Sequence, residues 1–138
     1  MKAFLKVTDT ITTELQSHPF VNTVTWGDIF DVDLTKITKF PLAHYIVTQA
    51  TFDDKVIKLS FNILCMAING ENEKEILAEQ LSVLSRLFER LRRGDLWTDA
   101  YQLDGIPTPT PFRGRWENDL IGWECNFTIK VLNEMGID

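Results

Sequence analysis

A chain of 138 residues, 44% hydrophobic and 25% charged, has the make-up of a single globular domain whose core needs neither disulfides nor a metal. Fourteen Lys and Arg against twenty Asp and Glu leave a net charge of −6, which excludes a protein whose whole surface grips nucleic acid. No apolar run approaches the roughly 18 residues of a membrane span, and residues 1–16 are amphipathic rather than signal-like, so a protein made and assembled in the cytosol is expected.

Residues 2–17 place Phe4, Val7, Ile11 and Leu15 at helical spacing, with Lys2, Lys6, Asp9 and Glu14 on the remaining surface. The helix should stop before Pro19, leaving His18 outside its last turn. Residues 20–26 are β-prone and bounded by Gly27, which predicts a short strand. From 27 to 40 the pattern breaks into a loop with apolar anchors, in which Asp28, Asp31 and Asp33 alternate with Ile29, Phe30 and Val32. These acids do not make a calcium loop, because the central glycine and distal glutamate of that motif are missing at the required offsets.

Residues 42–52 and 55–68 flank Asp53-Asp54 and predict a β-hairpin. In the second strand Ile57, Leu59, Phe61, Ile63, Cys65 and Ala67 share one parity, opposed by Lys58, Ser60 and Asn62. Towards its end Leu64, Met66 and Ile68 make the other side apolar too, so that half is expected to be covered on both faces. A long helix over 72–93 follows, with Ile76, Leu77, Leu81, Leu84, Phe88 and Leu91 in period, Asn72 as cap, acids at its start and Arg90, Arg92 and Arg93 at its end. Residues 94–111 read as an extended arm, because the alternate prolines of GIPTPTP forbid a central strand. The last segment reads as a second hairpin, 112–117 and 120–132 around Asn118-Asp119, with Ile121, Trp123, Cys125, Phe127, Ile129 and Val131 on one face.

The expected architecture is therefore a single α+β domain over 1–138. It has two layers, a mainly antiparallel sheet of two hairpins plus a short strand, and two helices packed on one face. Cys65 and Cys125 fall on apolar strand faces, with no CxxC pattern and no histidine beside them, and are expected as buried free thiols.

Motifs of catalysis are missing. There is no P-loop, GxGxxG, GxSxG or HExxH, and only His18 and His44 are available as imidazoles. His44 shares strand parity with Leu42, Ile46 and Phe52 and is expected to be a structural histidine. No catalytic residue, cofactor site or metal site is predicted. The unusual constellation is electrostatic: all six arginines fall within 86–115, where four acids leave +2, while 1–85 and 116–138 each sum to −4. Phe88, Trp97, Tyr101, Phe112 and Trp116 accompany them, a composition found at protein interfaces and also suited to stacking on single-stranded nucleic acid.

The run LTKITKFPLAHYIVTQATFDDKVIKLSFNILCM, the helix end LFERLRRGDLWTD, the phrase YQLDGIPTPTPF and the hairpin RWENDLIGWECNFTI resemble the tail-completion or tail-terminator proteins of tailed bacteriophages, over about residues 34–132. The resemblance implies a non-enzymatic virion protein, assembled in the host cytoplasm, that forms a homo-oligomeric ring, typically a hexamer, at the head-proximal end of the tail. It implies tail-tube and neck proteins as partners, DNA passing through the channel without sequence-specific binding, and no membrane. A ring needs two different patches that dock head to tail. Arg92, Arg93, Trp97, Arg113, Arg115 and Trp116 are the expected contact residues on one side, with Asp28, Asp31 and Asp33 as their partners. Head-completion, stopper or adaptor proteins of the same neck, a nucleic-acid-binding module using the arginine and aromatic band, and a small enzyme assembled across the sheet are the alternatives.

Overall fold

A computed structural model describes residues 2–29, 40–53, 55–70, 72–93, 101–115 and 119–132. Helix α1 spans Lys2–Gln16 and strand β1 Thr23–Trp26; β2 (Leu42–Phe52) and β3 (Val56–Ile68) form the first hairpin. Helix α2 spans Glu73–Arg93, and β4 (Tyr101–Asp104), β5 (Thr110–Arg115) and β6 (Leu120–Leu132) follow it. The fold is α+β, with both helices packed on one sheet.

Helix α1 has little to hold it locally. Its first turn lacks an acid and its last lacks a base, and Thr8 and Thr10 turn their hydroxyls back to the carbonyls of Leu5 (3.0 Å) and Lys6 (2.8 Å). It forms because Val7, Ile11 and Leu15 are fully buried, each contributing roughly 1.5–3 kcal/mol. Two tyrosines of the sheet then fix it. Tyr45 Oη donates to the Thr8 carbonyl (3.0 Å), and Tyr101 Oη meets Thr10 Oγ1 (3.2 Å). Helix α2 is better specified. The Asn72 carbonyl accepts from Ile76 N–H (3.0 Å), Glu73 and Glu75 sit in the first turn, and Arg90, Arg92 and Arg93 in the last. Trp123 Nε1 donates to the Leu77 carbonyl (2.8 Å) and ties α2 to the sheet.

The sheet has six strands in the order β1-β2-β3-β6, with β4 and β5 both on the outer side of β6. The long pair β3–β6 runs in unbroken antiparallel register from Val56 opposite Leu132 to Ile68 opposite Leu120. Phe61 lies at its centre. Its ring stacks on Phe127 (5.3 Å), which meets Phe88 of α2 edge-on (5.3 Å), and Tyr45 closes the other side at 6.4 Å. A second apolar cluster occupies the opposite face at one end, where Leu42, Leu64, Met66, Phe112 and Leu120 gather with Ile29 and Phe40. The apolar turn of Leu64 and Met66 thus has its cover, whereas Ile68 stays exposed. The rest of that face is polar: Asn62 Nδ2 donates to Asn126 Oδ1 (2.9 Å), Ser60 meets Thr128 (3.3 Å) and Lys58 pairs with Asp104 (3.3 Å).

Four expectations change. The sheet is mainly antiparallel as expected, β1 alone running parallel to its neighbour β2, but β1 covers 23–26 rather than 20–26, since Val21 N–H closes a turn onto the His18 carbonyl (3.1 Å). The arm contains a strand, β4, whose Tyr101 and Leu103 are buried while Gln102 is exposed; β5 also begins inside it, at Thr110. Prolines allow this because both strands lie on an edge. A proline stands in a ladder only with its nitrogen turned to the free side, and the Thr108 N–H is directed inward at Cys125, so Pro107, Pro109 and Pro111 face outward. The residues between β4 and β5 are a bulge: six steps from Asp104 to Thr110 oppose four from Thr128 to Glu124.

The fourth change is the parity of Phe52. A register shift between Val47 and Gln49 adds one residue to β2, so Ala50 and Phe52 lie opposite Leu59 and Ile57 on the helix side, whereas Leu42 and His44 point away from it.

Candidate functional site

Among the described residues, the expected contact residues do not form one surface. Arg113 of β5 forms an ion pair with Glu73 at the start of α2. Arg115 pairs with Glu124 (3.1 Å), its guanidinium stacked over the Phe112 ring at 4.4 Å. Arg92 and Arg93 are at the far end of α2, about 30 Å from Glu73 along a helix of 21 residues. Arg86 is taken up by Glu14 of α1 (3.5 Å). The linear band is therefore divided between the β5 edge, the α1–α2 seam and the end of α2. Trp97, Trp116, Asp31 and Asp33 lie outside the described residues.

Asp28 is described, and its position matters. It follows Gly27, whose N–H donates to the Tyr45 carbonyl (3.2 Å) just past β1, at the edge of the sheet opposite Arg113 and Arg115. One edge thus carries guanidinium groups and a proline arm, the other a carboxylate.

The second edge also carries a surface that the sequence pattern conceals. Strand β1 ends at Trp26, so β2 beyond Tyr45 has no strand beside it among the described residues. There Phe4 of α1, Val47, Ala50, Phe52, Ile57 and Leu59 line an open apolar trough of about 380 Å³. Trp26 stands edge-on to Phe4 (6.3 Å) and to Tyr45 (5.0 Å), which extends the patch along the edge. Only the bulge brings Phe52 to this side. A lack of charge over residues 40–52 was the available signal.

The titratable groups elsewhere are held as structure. His44 is buried, its Nε2–H donating to the Gly27 carbonyl (2.6 Å) and its Nδ1 accepting from the Thr25 hydroxyl (2.7 Å). Burial lowers its pKa, against the raising influence of the Gly27 carbonyl and Asp28. His18 is lowered too, by burial first and by Arg86 second, and its Nδ1 accepts from Phe20 N–H (3.1 Å). Both thiols are buried. Burial pushes Cys125 up to about 11 and Cys65 further, which keeps both protonated and unreactive. No group of three or more His, Cys, Asp or Glu converges among the described residues.

The histidines set a pH dependence. Because both pKa values are lower when folded, the unfolded chain binds more protons below the ordinary histidine value of 6.5, and stability falls as pH drops through that range. The urea midpoint should therefore be lower at about pH 5.5 than at about pH 7.5, and His44→Gln should flatten the difference. An unchanged slope in that variant would remove His44 as a contributor.

No protein-family model matches this chain, and no curated protein matches it, so its sheet edges are the features from which a function must be argued.

Proposed function

We propose that the protein is a structural subunit of a tailed-phage particle, assembling head to tail into a ring at the tail end that meets the neck. The sequence resemblance supports this reading, and one observation carries it: a single sheet presents two dissimilar edges, Arg113 and Arg115 on one and Asp28 on the other. A surface of that kind repeats by rotation, since each edge finds its complement on the next copy. The reading assigns the protein contacts and no chemistry. A stopper or adaptor in the same neck would use the same edges. Nucleic-acid binding through the arginine band has less support, because the band is divided: Arg86 lies at the α1–α2 seam, Arg113 and Arg115 on the β5 edge, and Arg92 and Arg93 at the far end of α2.

Light scattering and negative-stain electron microscopy test the proposal. Annular particles of one mass are expected. Arg113→Glu combined with Arg115→Glu should abolish them while the circular dichroism spectrum stays unchanged. A protein that is monomeric at every concentration and absent from purified tailed particles would overturn the reading.

A further inference from the structure

We infer that Asn69 is a site of spontaneous covalent modification: it loses ammonia through attack by the Gly70 nitrogen, and the carboxylate left behind loosens the junction between β3 and β6. The inference is independent of the ring reading, because it needs only one folded chain and water.

The residue pair is the first argument. Of seven asparagines, Asn69 alone is followed by glycine. The backbone nitrogen after an asparagine can close on that side chain's Cγ to form a cyclic imide, and a β-carbon on the following residue crowds the approach. Gly70 has none.

The surroundings of the pair are the second. Asn69 follows the last residue of β3, and Gly70 is exposed between that strand and α2, with nothing within 4 Å of the point where a β-carbon would stand. Asn69 N–H donates to the Asp119 carbonyl (3.0 Å), which anchors the main chain on the strand side. The carboxamide is held less firmly. Its Nδ2 donates to Asp119 Oδ2 at 3.4 Å, close to the limit for a hydrogen bond, and its Oδ1 is shut from water with no hydrogen-bond partner among the described residues. Turning Cγ towards the Gly70 nitrogen therefore gives up one long bond and frees an acceptor that had no donor.

The step needs no reactant beyond water. Base takes the Gly70 N–H proton, the nitrogen's electron pair forms the bond to Cγ, and the Cγ–Nδ2 bond breaks as Nδ2 takes up a proton and leaves as ammonia. Water then opens the imide. Addition at Cγ gives aspartate, and addition at the main-chain carbonyl of residue 69 gives the isomer whose backbone runs through Cβ and Cγ.

The products do not suit the place where they form. A donor to Asp119 becomes a second carboxylate facing the first, a like-charge pair next to the point where Ile68 of β3 opposes Leu120 of β6. The isomer also lengthens the path from β3 to α2 by one bond. Since ammonia is lost, the change accumulates with the age of the folded chain.

Incubation of the full chain at mildly alkaline pH, followed by peptide mapping with mass spectrometry, tests the site. Asn69 should become an acid before any other asparagine, and more slowly at mildly acidic pH. Gly70→Ala, whose methyl group enters open space, should slow the conversion about tenfold or more with an unchanged fold. Asn69→Asp should lower the urea midpoint. Adding Asp119→Asn should restore it, because carboxamide and carboxylate then change places and asparagine tolerates the φ of 51° at that position.

An intact Asn69 in the folded chain, under conditions where the urea-unfolded chain converts, would overturn the site, as would earlier loss at another asparagine. A midpoint for Asn69→Asp equal to the parent's, or no recovery in the double variant, would overturn the loosening of the junction.

Discussion

Gly122→Ala is expected to cost about 3 kcal/mol or more, a large fraction of the roughly 5–15 kcal/mol that holds a domain folded. Gly122 lies in β6 opposite Met66 of β3 and Phe112 of β5, with strands on both sides. A β-carbon there would press on the carbonyl oxygen of Cys65, 2.9 Å from its carbonyl carbon and 2.7 Å from the Met66 α-carbon. These are backbone atoms in the longest ladder of the sheet, and they cannot rotate away as a side chain would. Urea unfolding followed by tryptophan fluorescence measures the loss. A midpoint within experimental error of the parent would show that β3 and β6 can separate locally at little expense.

Phe61→Ala should destabilise by about 3–5 kcal/mol, the usual range for emptying an aromatic site in a packed core. Phe61 has no exposed surface, and its ring lies between Tyr45 and Phe127, which in turn carries Phe88. Losing the ring empties the middle of the aromatic row that runs from Tyr45 of β2 to Phe127 of β6. Phe61→Leu should recover most of the loss, because it keeps much of the apolar volume. Equal destabilisation by Ala and Leu would mean that ring stacking, not volume, holds the site.

Long periodic segments made much of this architecture readable from the residues. Helix α2 declares itself through Leu84, Phe88 and Leu91 and through its end charges, and β3 and β6 through alternation sustained over thirteen residues each. Strand β4 was hidden because Tyr101 and Leu103 supply a single alternation beside three prolines, too short to separate from an arm. The bulge in β2 was hidden because one inserted residue leaves composition and length unchanged while exchanging the faces of everything after it, and so the apolar trough escaped notice. The arginine band misled in another way. Arg92 and Arg93 end α2, and the chain returns through β4 and β5 before Arg113 meets Glu73 at the start of that helix, a separation of about 30 Å that no charge count along the chain can register.

The proline-lined margin of β5 has a consequence for what happens when another extended chain meets it. A sheet whose border can accept another backbone tends to grow into fibrils, which are slow to come apart. Here the outward prolines present carbonyl oxygens but no N–H donors, so a neighbouring strand can complete only part of its ladder there. In the ring proposed above, weak edge pairing of this kind would let a misplaced copy leave before the assembly closes.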